Sequence, residues 1–285
     1  MMNVKLKGEN RIEPFRQVAE RLVSKISAHE SVAGTIILGG LVRGFVDKFS
    51  DLDTTVFLSG KDENVRTQIY NLGLEERRRS GIDIDLEIHF LEDFKRRKLD
   101  ETKRWDLSNA EIAFDPKGEI RKMIKAKLRV PKKFWITRIA LCSEYIKWYC
   151  CPPKDSVGTI AQAWIDRGDL VSAHYSLNYA VEQLLKVIFT LNKEFLPPPK
   201  WRIFYSSRLK WIPKNYKELL REAMKAKNMS TRDLNRRLKA IRKMWHEILP
   251  KIRDKTGLTP SQMSQYYVQR ILRQTQFAKT FRKSN

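Results

Sequence analysis

Cysteine is scarce in this 285-residue chain, and its arrangement excludes several classes of protein. The three thiols are those of Cys142, Cys150 and Cys151. An odd number with two adjacent residues fits neither a disulfide framework nor the spacing of zinc ligands. No histidine lies near a cysteine in the sequence, which disfavours a catalytic thiol. The composition therefore predicts a protein of a reducing compartment, the cytoplasm, whose thiols pack in the interior.

Long apolar runs are also absent. No stretch of about 18 uncharged apolar residues occurs, although a helix needs roughly that length to cross a bilayer. Residues 1–15 lack the apolar segment of a signal peptide. We therefore expect no membrane association. With 42% hydrophobic residues, the chain can still build a sizeable core.

Acidic residues are few relative to basic ones. The chain has 33 Asp and Glu against 56 Lys and Arg, a formal net charge of +23. Residues 201–285 hold 22 basic and five acidic residues, so this last third carries most of the excess. Such a field attracts polyanions and raises their encounter rate. RNA, including tRNA, is therefore a predicted partner. A solvated basic surface, or a contact face for an acidic protein, is the alternative.

Strand signals are confined to the first 130 residues. Four short segments have strand character: GTIILGG, DLDTTVFLSG, GIDIDLEIHFL and AEIAF. Helical periodicity surrounds them, over residues 11–29, 61–79 and 91–97. Residues 1–130 therefore predict an α+β domain, a mixed sheet flanked by helices.

Beyond Pro131 only helical patterns remain, punctuated by prolines. Residues 131–285 therefore predict an all-α helical-bundle domain that binds a substrate or partner. The predicted helices cover residues 132–150, 155–167, 169–193, 214–227, 230–250 and 260–282.

Glycines and phosphate-binding donors follow the first strand. Gly39 and Gly40 let backbone amides approach a phosphate closely, and a short helix is predicted to begin there. The side chains of Arg43 and Ser50 add further donors for phosphate oxygens. This segment therefore predicts a nucleotide-binding turn.

Carboxylates follow on two strands. Asp51 and Asp53 flank Leu52, so period-2 geometry directs both carboxylates to one face. The strand over residues 82–88 directs a further three acids to one face, and one of these can complete a three-carboxylate cluster: Asp83, Asp85 and Glu87. Neighbouring carboxylates repel unless a cation neutralises them, and Mg²⁺ binds carboxylates together with phosphate oxygens. Three acids and a triphosphate can hold two ions for in-line transfer.

The two-part pattern Gly-Gly-x-x-Arg-Gly, then Ser-Asp-x-Asp, resembles the signature of the polymerase-β-like nucleotidyltransferase superfamily. It is especially similar to the minimal and antibiotic-modifying branches. The later IDLEIHFLEDF resembles the strand that carries the third acid in that superfamily. The resemblance covers residues 11–125. It implies an enzyme that moves a nucleoside monophosphate from a nucleoside triphosphate to an acceptor hydroxyl or phosphate, with AMP from ATP as the expected group.

The resemblance also implies residue roles. Asp51 and Asp53 would bind two Mg²⁺ ions and the triphosphate. Asp85 would be the third ligand, with Glu87 as the alternative and Asp83 as the weakest candidate. The amides of Gly39 and Gly40, with Ser50, would hold the β- and γ-phosphates, while Arg43 would either brace the turn or reach a phosphate. The family usually has Ser where this chain has Gly40.

The helical half gives weaker acceptor-side signals. The segment Leu191–Trp201 resembles part of the helical domains attached to antibiotic-type nucleotidyltransferases, which implies that Lys200 lies near the cleft. Glu182 is a candidate general base for an acceptor hydroxyl. The acceptor predicted here is a small hydroxylated molecule or RNA.

Two further patterns remain open. Arg167 and His174 resemble the Arg-x4–6-His motif of helical HEPN ribonucleases. The helix over residues 230–250 carries Arg236, Lys239, Arg242 and Lys243 on a broad face, with Trp245, Tyr266 and Tyr267 interleaved as in RNA binders or, equally, as in a core. A noncatalytic nucleic-acid-binding or partner-binding module is the alternative to an enzyme.

Overall fold

A computed structural model of the chain describes residues 6–153 and 156–269. The chain divides into two compact units, Met1–Val130 and Pro131–Asn285. Across the described residues, none of the helices combines the length and the apolar character that a membrane crossing requires.

The N-terminal unit has the predicted order of helices and strands, with one helix added. Its elements are α1 (Ile12–Ser27), β1 (Val32–Ile37), α2 (Gly39–Val42), β2 (Leu52–Leu58), α3 (Glu63–Ser80), β3 (Ile84–Phe90), α4 (Leu91–Arg96), α5 (Glu101–Ser108), β4 (Glu111–Phe114) and α6 (Glu119–Leu128). The added helix is α5. The side chain of Asp100 caps it by accepting a hydrogen bond from the Lys103 amide, a signal that the sequence does carry.

The four strands form one mixed sheet in the order β3-β2-β1-β4, which confirms the α+β class. Strand β1 runs antiparallel to β2 and β4, whereas β2 and β3 are parallel. Parallel pairing sets Asp53 of β2 directly beside Asp85 of β3. The candidate site therefore lies at the start of two adjacent strands.

Helices cover both faces of this sheet. One apolar cluster packs α1 against β2 through residues such as Leu22 and Val56, and the opposite cluster contains Phe57 and Phe94. Strand β2 is consequently buried on both faces, and Leu52 is fully buried. Since Leu52 is fixed in the core, the residues on either side of it are held on the other face of the strand.

The C-terminal unit is helical, as predicted. Its elements are α7 (Lys132–Tyr149), α8 (Ile160–Asp166), α9 (Leu170–Leu191), α10 (Pro199–Ser206), α11 (Tyr216–Met224) and α12 (Thr231–Thr256), followed by helical residues 260–269. Helix α9 is the most buried of them and contributes the apolar face expected from its periodicity. The rest of the predicted 260–282 helix lies outside the described residues.

Helix α10 is absent from the sequence prediction, and two helix boundaries differ from it: α8 begins at Ile160 instead of residue 155, and α12 ends at Thr256 instead of residue 250. Helix α10 begins within the proline run that the sequence suggested as a break, because Pro199 occupies a first-turn position where its missing amide costs nothing. Helix α12 continues through Pro250. A proline inside a helix costs about 3 kcal/mol, but Ile248 and Ile252 on either side of it are both buried in the same core.

Candidate functional site

Three carboxylates converge at the start of β2 and β3. Ligand oxygens of Asp51, Asp53 and Asp85 all lie within 4.8 Å of one another. Asp53 is half-buried, whereas Asp51 and Asp85 are exposed. The backbone explains the convergence, because Asp51 and Asp53 flank the buried Leu52 while Asp85 is the register partner of Asp53. Of the three acids on β3 and its approach, the structure brings Asp85 into the group.

Gly39 is fitted against this cluster. Its φ of +68° lies in the left-handed region, which favours glycine. A Cβ built there would lie 1.6 Å from Asp53 Oδ2, so the carboxylate occupies the space that any side chain would need. The Leu38 amide also donates a 3.0 Å hydrogen bond to the Asp53 carbonyl. The first glycine of the turn and the central acid are therefore fixed against one another.

Electrostatic repulsion is built into the cluster. Burial, and then the charge of Asp51, raises the pKa of Asp53 to about 6, while Arg43 opposes the shift. Asp85 and Asp106 add smaller contributions in the raising direction. A divalent cation would relieve this repulsion, and three carboxylate oxygens are the hard donors that Mg²⁺ prefers. The donor set therefore fits a magnesium site.

Gly40 has a structural reason for replacing the serine that the resemblance implies. A Cβ on Gly40 would lie 2.6 Å from the Phe45 carbonyl oxygen and 3.0 Å from Val46 Cγ1. The loop cannot easily move away, because the Arg11 amide donates to the Val46 carbonyl at 2.8 Å. Asn10 also accepts a 3.1 Å hydrogen bond from the Val46 amide. The tight approach of this loop therefore excludes a side chain at position 40.

Arg43 is held by the helix that the sequence analysis missed. Its guanidinium carbon lies 4.8 Å from the centroid of the Trp105 ring, and its Nη1 lies 4.0 Å from Asp106 Oδ1. Only 11% of its side chain is exposed. Of the two roles that the sequence left open, this arrangement favours bracing of the turn. Trp105 and Asp106 are the neighbours of the site that sequence reasoning did not identify.

Glu87 and Asp83 are engaged elsewhere. Glu87 Oε2 accepts a 2.6 Å hydrogen bond from Lys103 Nζ and lies 3.1 Å from His89 Nε2. The hydrogen bond from His89, and then that from Lys103, lowers the pKa of Glu87 to about 2 in spite of its burial. Asp83 pairs with Arg77 at 2.5 Å. Both carboxylates therefore have basic partners, in contrast to the cluster.

Ser50 belongs to a turn organised by Asp47. The Asp47 amide donates to Ser50 Oγ at 3.0 Å, and the Ser50 hydroxyl donates to Asp47 Oδ1 at 3.2 Å. An open cleft of about 410 Å³ adjoins this turn. Its lining residues are Lys48, Phe49, Ser50, Asp51, Asp83, Ile84 and Asp85. Two of the three clustered acids therefore face a space that a ligand can enter.

The acceptor-side candidates lie in the C-terminal unit. Glu182 of α9 accepts a hydrogen bond from Arg202 and lies 3.8 Å from Lys186 Nζ. Lys200 is exposed in the first turn of α10. Both contacts occupy the carboxylate with basic partners, so the pairing favours a structural role for Glu182. The acceptor-side roles of Glu182 and Lys200 remain predictions.

The residues of the ribonuclease-like motif have structural partners. The Arg167 guanidinium lies 5.1 Å from the Trp164 ring centroid. His174 Nδ1 accepts a 2.6 Å hydrogen bond from Arg237, a fully buried residue of α12. Burial, and then the charge of Arg237, lowers the pKa of His174. These contacts favour packing roles for both residues.

The basic face expected on α12 is partly different from the prediction. Arg236 forms ion pairs with Glu222 and Asp233, Arg242 donates to the Cys150 carbonyl, and Trp245 is buried in the core. Apart from Lys255 near the end of α12, four other basic side chains are exposed and make no ion pair with any residue that the structure describes: Arg232, Lys239, Lys243 and Arg253. Their spacing sets them along one side of the helix over about 32 Å, at 1.5 Å per residue. We call these four residues the α12 basic stripe.

No protein-family model matches the chain, and no curated protein matches its sequence. Among solved structures, the chain is similar to the crystal structure of a nucleotidyltransferase-like protein from Exiguobacterium sibiricum 255-15. The two share 11% identity with a TM-score of 0.41, over 84% of this chain and 77% of that one. That description names the class that the sequence motif predicts, but a likeness at this level carries no argument about activity.

Proposed function

We propose that this chain is a magnesium-dependent nucleotidyltransferase. It moves a nucleoside monophosphate, with AMP as the expected group, from a nucleoside triphosphate to an acceptor. The observation that carries the proposal is the cluster of Asp51, Asp53 and Asp85. Asp51 and Asp85 line a cleft, and the pKa of Asp53 beside them is raised to about 6, a combination that is typical of functional sites. The glycine turn fitted against Asp53 supports the same interpretation.

Each residue of the site has a role in this proposal. Asp51, Asp53 and Asp85 would hold two Mg²⁺ ions. Bound magnesium would neutralise charge on the phosphates and lower the pKa of an attacking hydroxyl. The backbone amides of Gly39 and Gly40 would donate to phosphate oxygens, as would Ser50 after a change of partner from Asp47. Arg43, which packs on Trp105, would hold the glycine turn in its conformation.

For the acceptor, the α12 basic stripe favours a polyanion. Its four cations, which make no ion pair with any described residue, suit phosphate groups, and no large hydrophobic side chain of α12 is exposed. Protein interfaces need an apolar centre, so RNA, including tRNA, fits this surface better than an acidic protein. A small hydroxylated molecule remains the second candidate acceptor, because the resemblance to antibiotic-modifying enzymes implies one.

The experiment is a transfer assay with the full chain. Protein, Mg²⁺ and each α-labelled nucleoside triphosphate are incubated with total tRNA or with a panel of hydroxylated small molecules, antibiotics included. We expect label on one acceptor class, with ATP as the best donor. Replacing Asp53 or Asp85 by Asn should reduce transfer about 100-fold or more. Asp83→Asn is the matched control, since Asp83 pairs with Arg77 outside the cluster, and it should stay active.

A noncatalytic binding module is the competing function. It predicts no transfer to any acceptor and nucleotide binding that is equal in wild type and Asp53→Asn. That pair of results would contradict the proposed enzyme. Label on RNA but not on small molecules would support the stripe as the acceptor surface, and the reverse result would assign a small-molecule acceptor.

A further inference from the structure

Phe49 is an aromatic side chain without a role in the fold. It is 85% exposed, and it stands in the wall of the same cleft as Asp51 and Asp85. In the described part of the N-terminal unit, the other exposed large hydrophobic side chain is Tyr70 of α3, at 51%. An exposed ring contributes little to folding, but it keeps its full apolar surface available for a ligand.

The backbone beneath Phe49 is fixed. The Phe49 amide donates a 2.9 Å hydrogen bond to Asp47 Oδ1, and Ser50 hydrogen bonds to the same carboxylate. The Ser50 amide also donates to the Asp47 carbonyl at 3.1 Å. These bonds hold the turn on both sides of the ring. A ligand that stacks on Phe49 would therefore meet a position that is already ordered, which reduces the entropy lost on binding.

A cation stands beside the ring. Lys48 Nζ lies 4.9 Å from the centroid of the Phe49 ring, and Lys48 lines the same cleft. The Lys48 side chain contacts this ring and makes no ion pair with any described residue. A flat apolar surface next to an ammonium group matches a nucleotide, which presents a π-face and a phosphate to its binding site. The neighbouring acids alone would attract only cations.

We propose that Phe49 and Lys48 form a nucleotide subsite at the lip of the acidic cleft, in which Phe49 stacks on a nucleobase and Lys48 neutralises a phosphate. The subsite deepens the proposed function and rests on it. The subsite would bind a nucleobase together with its phosphate. This nucleotide can belong to the nucleoside triphosphate or to the end of an RNA acceptor. Because stacking tolerates every base, the subsite would add affinity with little sequence preference.

Equilibrium binding tests the subsite without any turnover. Wild-type full chain with Mg²⁺ is titrated with ATP and with inorganic tripolyphosphate, which lacks a base. It is also titrated with a short RNA and with the same RNA abasic at its 3′ end. The titrations are repeated with Phe49→Ala, Phe49→Leu, Phe49→Trp and Lys48→Met. Tyr70→Ala is the matched control, an exposed aromatic outside the cleft.

Phe49→Ala should weaken binding of the base-bearing probe about 5- to 100-fold and leave the baseless probe unchanged. An effect on ATP would assign the subsite to the triphosphate, and an effect on RNA would assign it to the acceptor. Phe49→Trp should retain affinity and Tyr70→Ala should have no effect. Lys48→Met should weaken binding of the assigned nucleotide by a smaller factor.

Three results would overturn the subsite. The first is equal affinity of wild type and Phe49→Ala for every probe, including no binding at all. The second is full affinity in Phe49→Leu, which would mean apolar contact rather than stacking. The third is an equal loss for base-bearing and baseless probes. Binding of Mn²⁺ to the same samples distinguishes failure of the subsite from failure of the proposed function. If only the subsite is wrong, wild type still binds Mn²⁺ at the acidic cluster. If the proposed function is wrong, wild type does not bind Mn²⁺ there.

Discussion

The carboxylates of the candidate site in the N-terminal unit are arranged differently from those of the C-terminal unit. In the N-terminal unit, Asp51, Asp53 and Asp85 lie within 4.8 Å of one another. In the C-terminal unit, the acids of interest each pair with an arginine: Glu182 with Arg202, and Glu222 and Asp233 with Arg236. Burial, and then the charge of Asp51, raises the pKa of Asp53, whereas the hydrogen bonds from Arg236 lower the pKa values of Glu222 and Asp233.

The difference distinguishes carboxylates that stabilise the fold through ion pairs from carboxylates that are available to bind a ligand. Paired acids satisfy their partners and need nothing further. Clustered acids cost the folded protein stability unless a cation binds among them, which is the role proposed for magnesium. Four predictions test this distinction, two at the site and then two in the C-terminal unit, and each pair is given in decreasing order of expected effect.

The largest effect is expected from Asp53→Asn. Transfer should fall about 100-fold or more, yet the metal-free protein should become more stable. The folded-state pKa of about 6 exceeds the ordinary value of 3.8, so the ionised carboxylate destabilises the fold increasingly as pH rises from 3.8 to 6, and fully above 6. Thermal unfolding in chelator at pH 7.5 should show a gain on the order of 2 kcal/mol. An unchanged or lower stability would contradict the statement that the ionised Asp53 carboxylate destabilises the metal-free protein.

A smaller effect is expected from Gly39→Ala. The new methyl group would collide with the Asp53 carboxylate at a positive φ, so metal affinity should fall at least about tenfold and stability by about 2 kcal/mol. Gly60→Ala is the control, because a Cβ there meets nothing within 4 Å. Its stability should lie within about 0.5 kcal/mol of wild type. Equal metal affinity in the two variants would show that Gly39 does not shape the cluster.

In the C-terminal unit the prediction concerns stability alone. Arg237 is fully buried and donates to the Ala223 carbonyl, Asn178 and His174, so Arg237→Met should leave three groups without a donor. Denaturant unfolding should show a loss of about 3 kcal/mol. Metal binding should not change. Arg253→Met, an exposed change on the same helix, should be nearly neutral. A larger cost at Arg253 than at Arg237 would contradict this account of the unit.

The smallest effect is expected from Glu182→Gln. An exchange at a partly exposed ion pair should cost less than about 1 kcal/mol of stability, and transfer should change less than about threefold. Transfer is measured under the same conditions as for Asp53→Asn. A loss of about 100-fold would mean that Glu182 acts as the general base that the sequence suggested, and the contrast between the two units would not hold.

Local patterns predicted the sheet and the position of the acids. Alternation around Leu52 and along β3 is a property of a few residues, so it indicated which carboxylates share a face. Parallel register then distinguished Asp85 from Glu87, and this required the neighbouring strand. Long-range contacts decided the rest. The absence of a side chain at Gly40 depends on the loop at Val46, which is held by Asn10 and Arg11, 35 or more residues before Val46.

Short or charged segments were harder to predict. Helix α5 has eight residues, which is too few to show a clear periodicity, and it supplies the Trp105 ring that holds Arg43. Arg237 is one of several basic residues in its part of α12, and nothing in the local sequence distinguishes it as the buried one. Both cases depend on packing between elements, which single-sequence patterns do not encode.

Manganese binding reports on the cluster of Asp51, Asp53 and Asp85 itself. Mn²⁺ is titrated by paramagnetic resonance into wild type and Asp53→Asn at pH 7.5 and at pH 5, with Mg²⁺ as competitor. Wild type should bind Mn²⁺ at pH 7.5 and more weakly at pH 5, because a proton then competes for Asp53, whose pKa is about 6. Asp53→Asn should bind at least about tenfold more weakly at pH 7.5, with less dependence on pH. Equal binding by the two proteins, or none by wild type, would contradict a metal site at Asp51, Asp53 and Asp85.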